Sequence, residues 1–261
     1  MRRSLLSTAA AGTLLLTAAC GADEEPTQGD PAQQQSAPEQ DADQAPDSDP
    51  DSDDDAGSAP ASEASWDPAS LHVLVNKADP LDPADHVPSD LTPVTAPADH
   101  EDVQMRQEPA EALEELFSAA SADEIPLVVA SAYRSYDYQS TVYQGHVDNL
   151  GQEAADEVSA RPGHSEHQTG LAVDLSYPGN EDCHLRTCFG ETPTGIWLAE
   201  NAHEHGFIIR YPEGSQEITG FSYEPWHLRY VSEATAADVA DQGVTLEEYW
   251  DQPAAPDYED A

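Results

Sequence analysis

A histidine and an aspartate seven residues apart, in Ser165-Glu-His-Gln-Thr-Gly-Leu-Ala-Val-Asp174, are joined through Gly170, a residue that permits a tight turn. The histidine falls in a loop and the aspartate in a following strand, so His167 and Asp174 can face one point. Downstream, Glu224-Pro-Trp-His227 sets a carboxylate three residues before another histidine, where it would stand beside a metal ligand. Two imidazoles and a carboxylate are donors suited to zinc, and three protein ligands leave a fourth position for water. Neighbouring divalent metals would fit the same set. Any one of the chain's ten histidines is more readily structural; the pairing of the two segments singles out His167 and His227. For Glu224 the plainer alternative is a solvated surface carboxylate.

Arg134 follows a predicted strand in Tyr-Arg-Ser. Its planar fork can grip a carboxylate through two hydrogen bonds; a surface ion pair is the other reading. Cys183 and Cys188 enclose four residues in Cys-His-Leu-Arg-Thr-Cys, a spacing open to metal, but in an exported chain a disulfide closing a short loop is expected. His203 and His205 lack the two-residue gap of a helical zinc motif and read as favourable charges at a helix C-terminus. His164 borders the motif and is not read as a ligand.

The elements that must position these groups follow from periodicity and breakers. Strands are predicted at 71–75, 126–130, 171–175, 207–210 and 226–231, and helices at 110–120, 136–150 and 197–205, the last two stopped by Gly151 and Gly206. Four prolines between 79 and 94 predict an irregular arm. The mixture gives an α+β domain, a small antiparallel sheet with flanking helices.

Met1-Arg2-Arg3, an apolar run and Ala18-Ala19-Cys20-Gly21 have the layout of a secretory signal, and resemble a bacterial lipoprotein box in which Cys20 is acylated. Residues 21–65 are rich in Asp, Glu, Pro, Gln and Ser, and cannot bury enough apolar surface to order themselves. The expected organisation is a leader at 1–20, an acidic tether at 21–65, a catalytic domain at 66–250 and an acidic tail at 251–261. The localisation expected is extracytoplasmic, at the cell envelope. The formal charge is −43, and from Trp66 onward 38 acidic residues face 7 basic ones, a balance of −31. That excludes nucleic acid and anionic lipid surfaces as partners, since both need basic patches. Lys77 is the one lysine; so acidic a surface suggests a high-salt habitat.

Leu74-Val-Asn-Lys77 with the proline-rich arm, Ser131-Ala-Tyr-Arg-Ser135, Pro162-Gly-His-Ser-Glu-His-Gln-Thr-Gly170 with Asp174, Gly206-Phe with Arg210-Tyr-Pro212, and Glu224-Pro-Trp-His227 together resemble the VanY-type D-alanyl-D-alanine carboxypeptidases. That family shares the zinc fold of the hedgehog and D,D-peptidase group. The resemblance implies that His167, Asp174 and His227 hold zinc, with Glu224 as general base toward water. It also implies that Arg134 binds the terminal carboxylate of a peptidoglycan stem peptide, that Gln139 and Ser165 contact the peptide, and that Tyr211 lies by the scissile bond. The bland readings are a helix-surface amide for Gln139, a turn hydroxyl for Ser165 and a packed ring for Tyr211. Removal of D-alanine from a pentapeptide stem by a monomeric, lipid-anchored enzyme is the expectation. An L,D-carboxypeptidase acting on tetrapeptides is the near rival. A zinc-stabilised binding module without catalysis is the rival of another class, and the presence of Glu224 counts against it.

Overall fold

In Gln107–Ala122, residues Ala110, Leu113, Leu116 and Ala120 recur every three or four positions, so a helix lays them along one face. The computed structural model, which describes residues 63–258, forms this helix (α1) and buries that face together with Pro109. Pro109 is tolerated because the first turn has no intrahelical use for its missing N–H. The helix packs on a four-stranded antiparallel sheet of β3 (Val128–Ser131), β4 (Ala172–Ser176), β6 (His227–Tyr230) and β5 (Phe207–Ile209), in that spatial order. Leu113, Leu116 and Met105 meet Val129, Val173, Leu175, Phe207 and Leu228 in the core. Each such side chain contributes roughly 1.5–3 kcal/mol of burial energy. The α+β reading, a small antiparallel sheet with flanking helices, is therefore observed.

β4 is central and buried at all five positions, which explains its unbroken run of small and apolar residues around Asp174. Helix α2 (Tyr136–Leu150) has the limits predicted for it. The Ser135 hydroxyl caps it by accepting from the Tyr138 N–H at 3.2 Å, and Gly151 leaves it at φ +82°. The short α3 (Gln152–Asp156) follows. The helix expected at 197–205 starts earlier, as α4 (Pro193–Asn201) capped by Thr192, and tightens into a 3-10 turn over Ala202–His205 that carries His203 and His205. The chain then adds α5 (Gln216–Thr219), α6 (Glu233–Gln242) and α7 (Leu246–Tyr249).

Two local expectations are corrected. Residues 71–75 form no strand, although Val73, Leu74 and Val75 are buried; only Val73 makes a bridge, to Ser65. Two of their carbonyls are taken by an arginine instead, with Arg229 Nη2 donating to Leu71 O at 3.1 Å and Val73 O at 2.7 Å. The proline-rich arm is irregular only as far as β1 (Leu91–Pro93), which pairs with β2 (Gln104–Arg106) in a separate ribbon.

The signal peptide, Cys20 and nearly all of the expected tether lie outside the described residues. Within the segment expected as an acidic tail, residues 251–258 are docked on the domain. Ala255 and Tyr258 are buried, the Ala255 N–H donates to Ile218 O at 2.7 Å, and the Tyr258 hydroxyl accepts from the Arg161 N–H at 2.8 Å.

Candidate metal and substrate site

Asp174 on β4 and His227 on β6 are register partners, directly opposite each other across the sheet, a position that brings side chains on the same face into contact. His167 arrives from the 3-10 turn Glu166–Thr169. Gly170 ends that turn at φ +68°, where a Cβ would lie 2.9 Å from Arg106 Cγ, so only glycine lets the loop close against β2. Asp174 then bridges both imidazoles, Oδ1 at 3.0 Å from His227 Nδ1 and Oδ2 at 3.2 Å from His167 Nε2. One donor atom from each of the three residues lies within 4.8 Å of the others, and all three side chains are buried.

The surrounding hydrogen bonds fix which nitrogens point inward. His167 Nδ1 faces the Ala132 carbonyl at 2.7 Å, which can only accept, so Nε2 is left with its lone pair toward the cluster. His227 Nε2 faces Glu166 Oε2 at 3.3 Å, leaving Nδ1 for the cluster. Oriented imidazoles backed by carbonyl or carboxylate acceptors are the surroundings that a metal-binding histidine requires. The charge balance also favours a cation. Burial disfavours charge on His227, but its hydrogen bonds to Asp174 and Glu166 outweigh that and raise it to about 9. A divalent cation between these donors would displace the Nδ1 proton. Burial and the Arg134 charge lower His167 to about 4, against the pull of Asp174. The residues therefore fit zinc.

Glu224 reaches the same point from the turn before β6, Oε2 at 4.0 Å from His227 Nδ1. The turn is held by hydrogen bonds from Glu224 N–H to Tyr211 O at 3.0 Å and from His227 N–H to Glu224 O at 3.1 Å. Burial pushes its carboxyl up to about 7, with Asp174 and Glu166 adding repulsion against the pull of His227 and Arg134. A carboxyl poised there suits proton transfer at neutral pH.

A cleft of about 590 Å³ opens over the cluster, lined by Arg134, Ser165, Tyr211, Glu224 and the three donors among others. Arg134 is tied to the site through its backbone, its N–H donating to His167 O at 3.1 Å, while its buried Nε has no hydrogen-bond partner among the described residues. The Tyr211 ring stacks on His227 at 5.0 Å and packs on Phe221 at 4.7 Å. Gln139 does not line the cleft: it is fully buried, and its amide donates to the carbonyl of Ala160, which does. His164 turns away, with Nδ1 at 2.9 Å from Asn76 O. Cys183 and Cys188 form a disulfide.

Glu166 was not singled out from the sequence. It is buried and ion-paired to Arg210 at 2.8 Å and Arg229 at 2.6 Å, and Arg210 also grips Glu247 at 2.6 Å. The signal was present in two arginines inside or beside otherwise apolar strands, at 210 and 229, where an unpaired charge would be very costly.

The family model described as VanY D-alanyl-D-alanine carboxypeptidase matches residues 102–233, a span that contains every one of these donors. The chain belongs to the VanY family. Carboxypeptidase activity toward peptidoglycan-related D-Ala-D-Ala or stem peptides comes with that membership. YodJ of Bacillus subtilis, a protein assigned as a carboxypeptidase, is 42% identical over 194 residues, covering 73% of this chain and 70% of its own. Among solved structures, the LD-carboxypeptidase LdcB is 42% identical with a TM-score of 0.66, covering 71% of this chain and 88% of LdcB. The D,D-pentapeptidase VanY of the VanB-type resistance cassette, solved as a variant with Zn(II), is 34% identical with a TM-score of 0.59, covering 71% of this chain and 99% of that one.

Proposed function

We propose that this VanY-family member is a zinc D,D-carboxypeptidase that hydrolyses the C-terminal D-alanine from pentapeptide stems of peptidoglycan. The observation that carries the reading is the convergence in one cleft of the bridged His167–Asp174–His227 cluster, the Glu224 carboxyl and an Arg134 Nε without a hydrogen-bond partner among the described residues. Zinc held by the three donors would polarise the scissile carbonyl and lower the pKa of its water.

The chain's own residues supply the rest. Arg134 receives the terminal carboxylate through paired charge-assisted hydrogen bonds and so fixes which peptide bond lies over the cluster. Glu224 takes the proton from the attacking water and returns it to the leaving amine. Tyr211, braced by His227 and Phe221, sits beside the scissile bond, where its hydroxyl helps to stabilise the oxyanion. Ser165 contacts the peptide, and Gln139 shapes the cleft wall by holding Ala160. Acylation of Cys20 would anchor the domain outside the cytoplasm, within reach of wall polymer.

The likeness to LdcB supports a second reading, L,D-cleavage of tetrapeptide stems with the same ligands and base. Incubation of the zinc-loaded chain with synthetic pentapeptide and tetrapeptide stems, followed by product analysis, tests both. Faster D-alanine release from the pentapeptide supports the first reading, faster release from the tetrapeptide supports the second, and release from neither contradicts both.

A further inference from the structure

Arg2 and Arg3 apart, the chain's nine cationic side chains lie within the described residues, and most are matched there. Arg106 pairs with Asp90, Arg161 with Asp156, and Arg210 and Arg229 with Glu166. Lys77 donates to Pro256 O and lies over the Phe221 and Tyr258 rings. Two arginines have no carboxylate partner among the described residues, Arg134 and Arg186, and both line the same cleft. In a chain of formal charge −43, an exposed guanidinium finds carboxylates readily, so Arg186, left without one on the cleft that also holds Arg134, marks where a ligand supplies the negative charge.

The two differ in depth. Arg134 is partly buried beside the metal donors, whereas Arg186 is exposed, on the loop closed by the Cys183–Cys188 disulfide. That loop is fixed from below: Asn180 donates to Ser176 Oγ at 3.0 Å and accepts from the Cys183 N–H at 3.0 Å, and the Arg186 N–H donates to Cys183 O at 3.2 Å. One Nη of Arg186 donates to Asp182 O at 3.2 Å, and the rest of the fork stays available. Holding the loop in advance reduces the entropy lost when a ligand binds.

We infer that Arg186 forms a second carboxylate-binding point at the cleft rim, which recognises a side-chain carboxylate on the residue preceding the two terminal D-alanines of the stem peptide. The inference rests on the carboxypeptidase reading for the orientation of the peptide, with Arg134 holding its terminal carboxylate.

Two stem pentapeptides serve as probes, identical except that the third residue, diaminopimelate, carries its side-chain carboxylate free in one and as the carboxamide in the other. Their affinities for the zinc-loaded full chain and for Arg186→Gln are measured by calorimetry at low salt, with D-alanine release followed in parallel. The free acid is expected to bind about fivefold to tenfold more tightly than the carboxamide, a preference that falls to near unity in Arg186→Gln and at high salt. Equal affinities in the unmodified chain, or a preference that persists in the variant, overturn the inference. Release without discrimination removes the role of Arg186 alone; discrimination without release removes the carboxypeptidase reading and leaves the binding point standing.

Discussion

Glu166 and His227 meet at 3.3 Å, Oε2 to Nε2, through the ring nitrogen that Asp174 does not use. Arg210 and Arg229 hold the other Glu166 oxygen at 2.8 and 2.6 Å. Burial opposes the Glu166 charge, but the two guanidiniums outweigh it and keep the carboxyl well below the usual range. Glu166→Gln leaves two arginines facing an amide, and loss of a buried ionic partner costs about 3–5 kcal/mol of stability. It also loosens the ring of His227, so zinc affinity is expected to fall about 10- to 100-fold. Chelator competition on the folded variant, alongside urea unfolding, checks both; zinc affinity equal to that of the unmodified chain would show that Glu166 is structural only.

Arg134 is proposed to bind the terminal carboxylate of the peptide. Charge-assisted hydrogen bonds of this kind contribute about 1.5–3 kcal/mol, so Arg134→Ala should lower kcat/KM by about 10- to 100-fold. Arg134→Lys keeps the charge but loses the fork, and should recover only part of the loss. The comparison that decides is a peptide with an amidated C-terminus, on which Arg134→Ala and the unmodified chain should perform alike. An equal loss on the amidated peptide would point to damage elsewhere in the site.

Asp156 and Arg161 form a bidentate pair at 3.1 and 2.8 Å beneath the docked C-terminal segment, and the Tyr143 hydroxyl adds a third hydrogen bond at 2.7 Å. Burial would raise the Asp156 carboxyl, but Arg161 and Tyr143 prevail and hold it below its ordinary 3.8. A carboxyl depressed on folding contributes stability that is present above its unfolded pKa and lost as pH falls through the folded value. Asp156→Asn should therefore lower stability by about 1 kcal/mol at pH 7, and the gap from the unmodified chain should close as pH falls below 3.8. Thermal melts of both chains across that range test the sign; a gap that widens in acid contradicts it.

The sequence made the ligand cluster legible because each member sits in a short, locally determined frame. His167 lies three residues before the Gly170 turn, and Asp174 and His227 lie on strands whose apolar neighbours predict them. Helix α2 was equally readable, since a serine cap and a glycine stop need no tertiary information. What escaped was tertiary. Residues 71–75 have the pattern of a strand, yet the Leu71 and Val73 carbonyls serve Arg229, more than 150 residues away in sequence. Glu166 and Glu247 resemble surface charges when taken singly, and only the folded chain gathers them with Arg210 and Arg229 behind His227. Gln139, a peptide contact by the family resemblance and otherwise a helix-surface amide, is turned inward by α2 as its one buried side chain.

Zinc at His167, Asp174 and His227 and the carboxyl of Glu224 are proposed to act together to release D-alanine. The most direct test measures D-alanine release from a synthetic stem pentapeptide by the zinc-loaded chain, by the same chain after chelation, and by zinc-loaded Glu224→Ala with its metal content determined. Release should disappear on chelation and return with zinc, while Glu224→Ala should retain zinc and lose about 100-fold or more in rate. Release that survives chelation, or that survives the loss of Glu224, would contradict a joint role for zinc and Glu224.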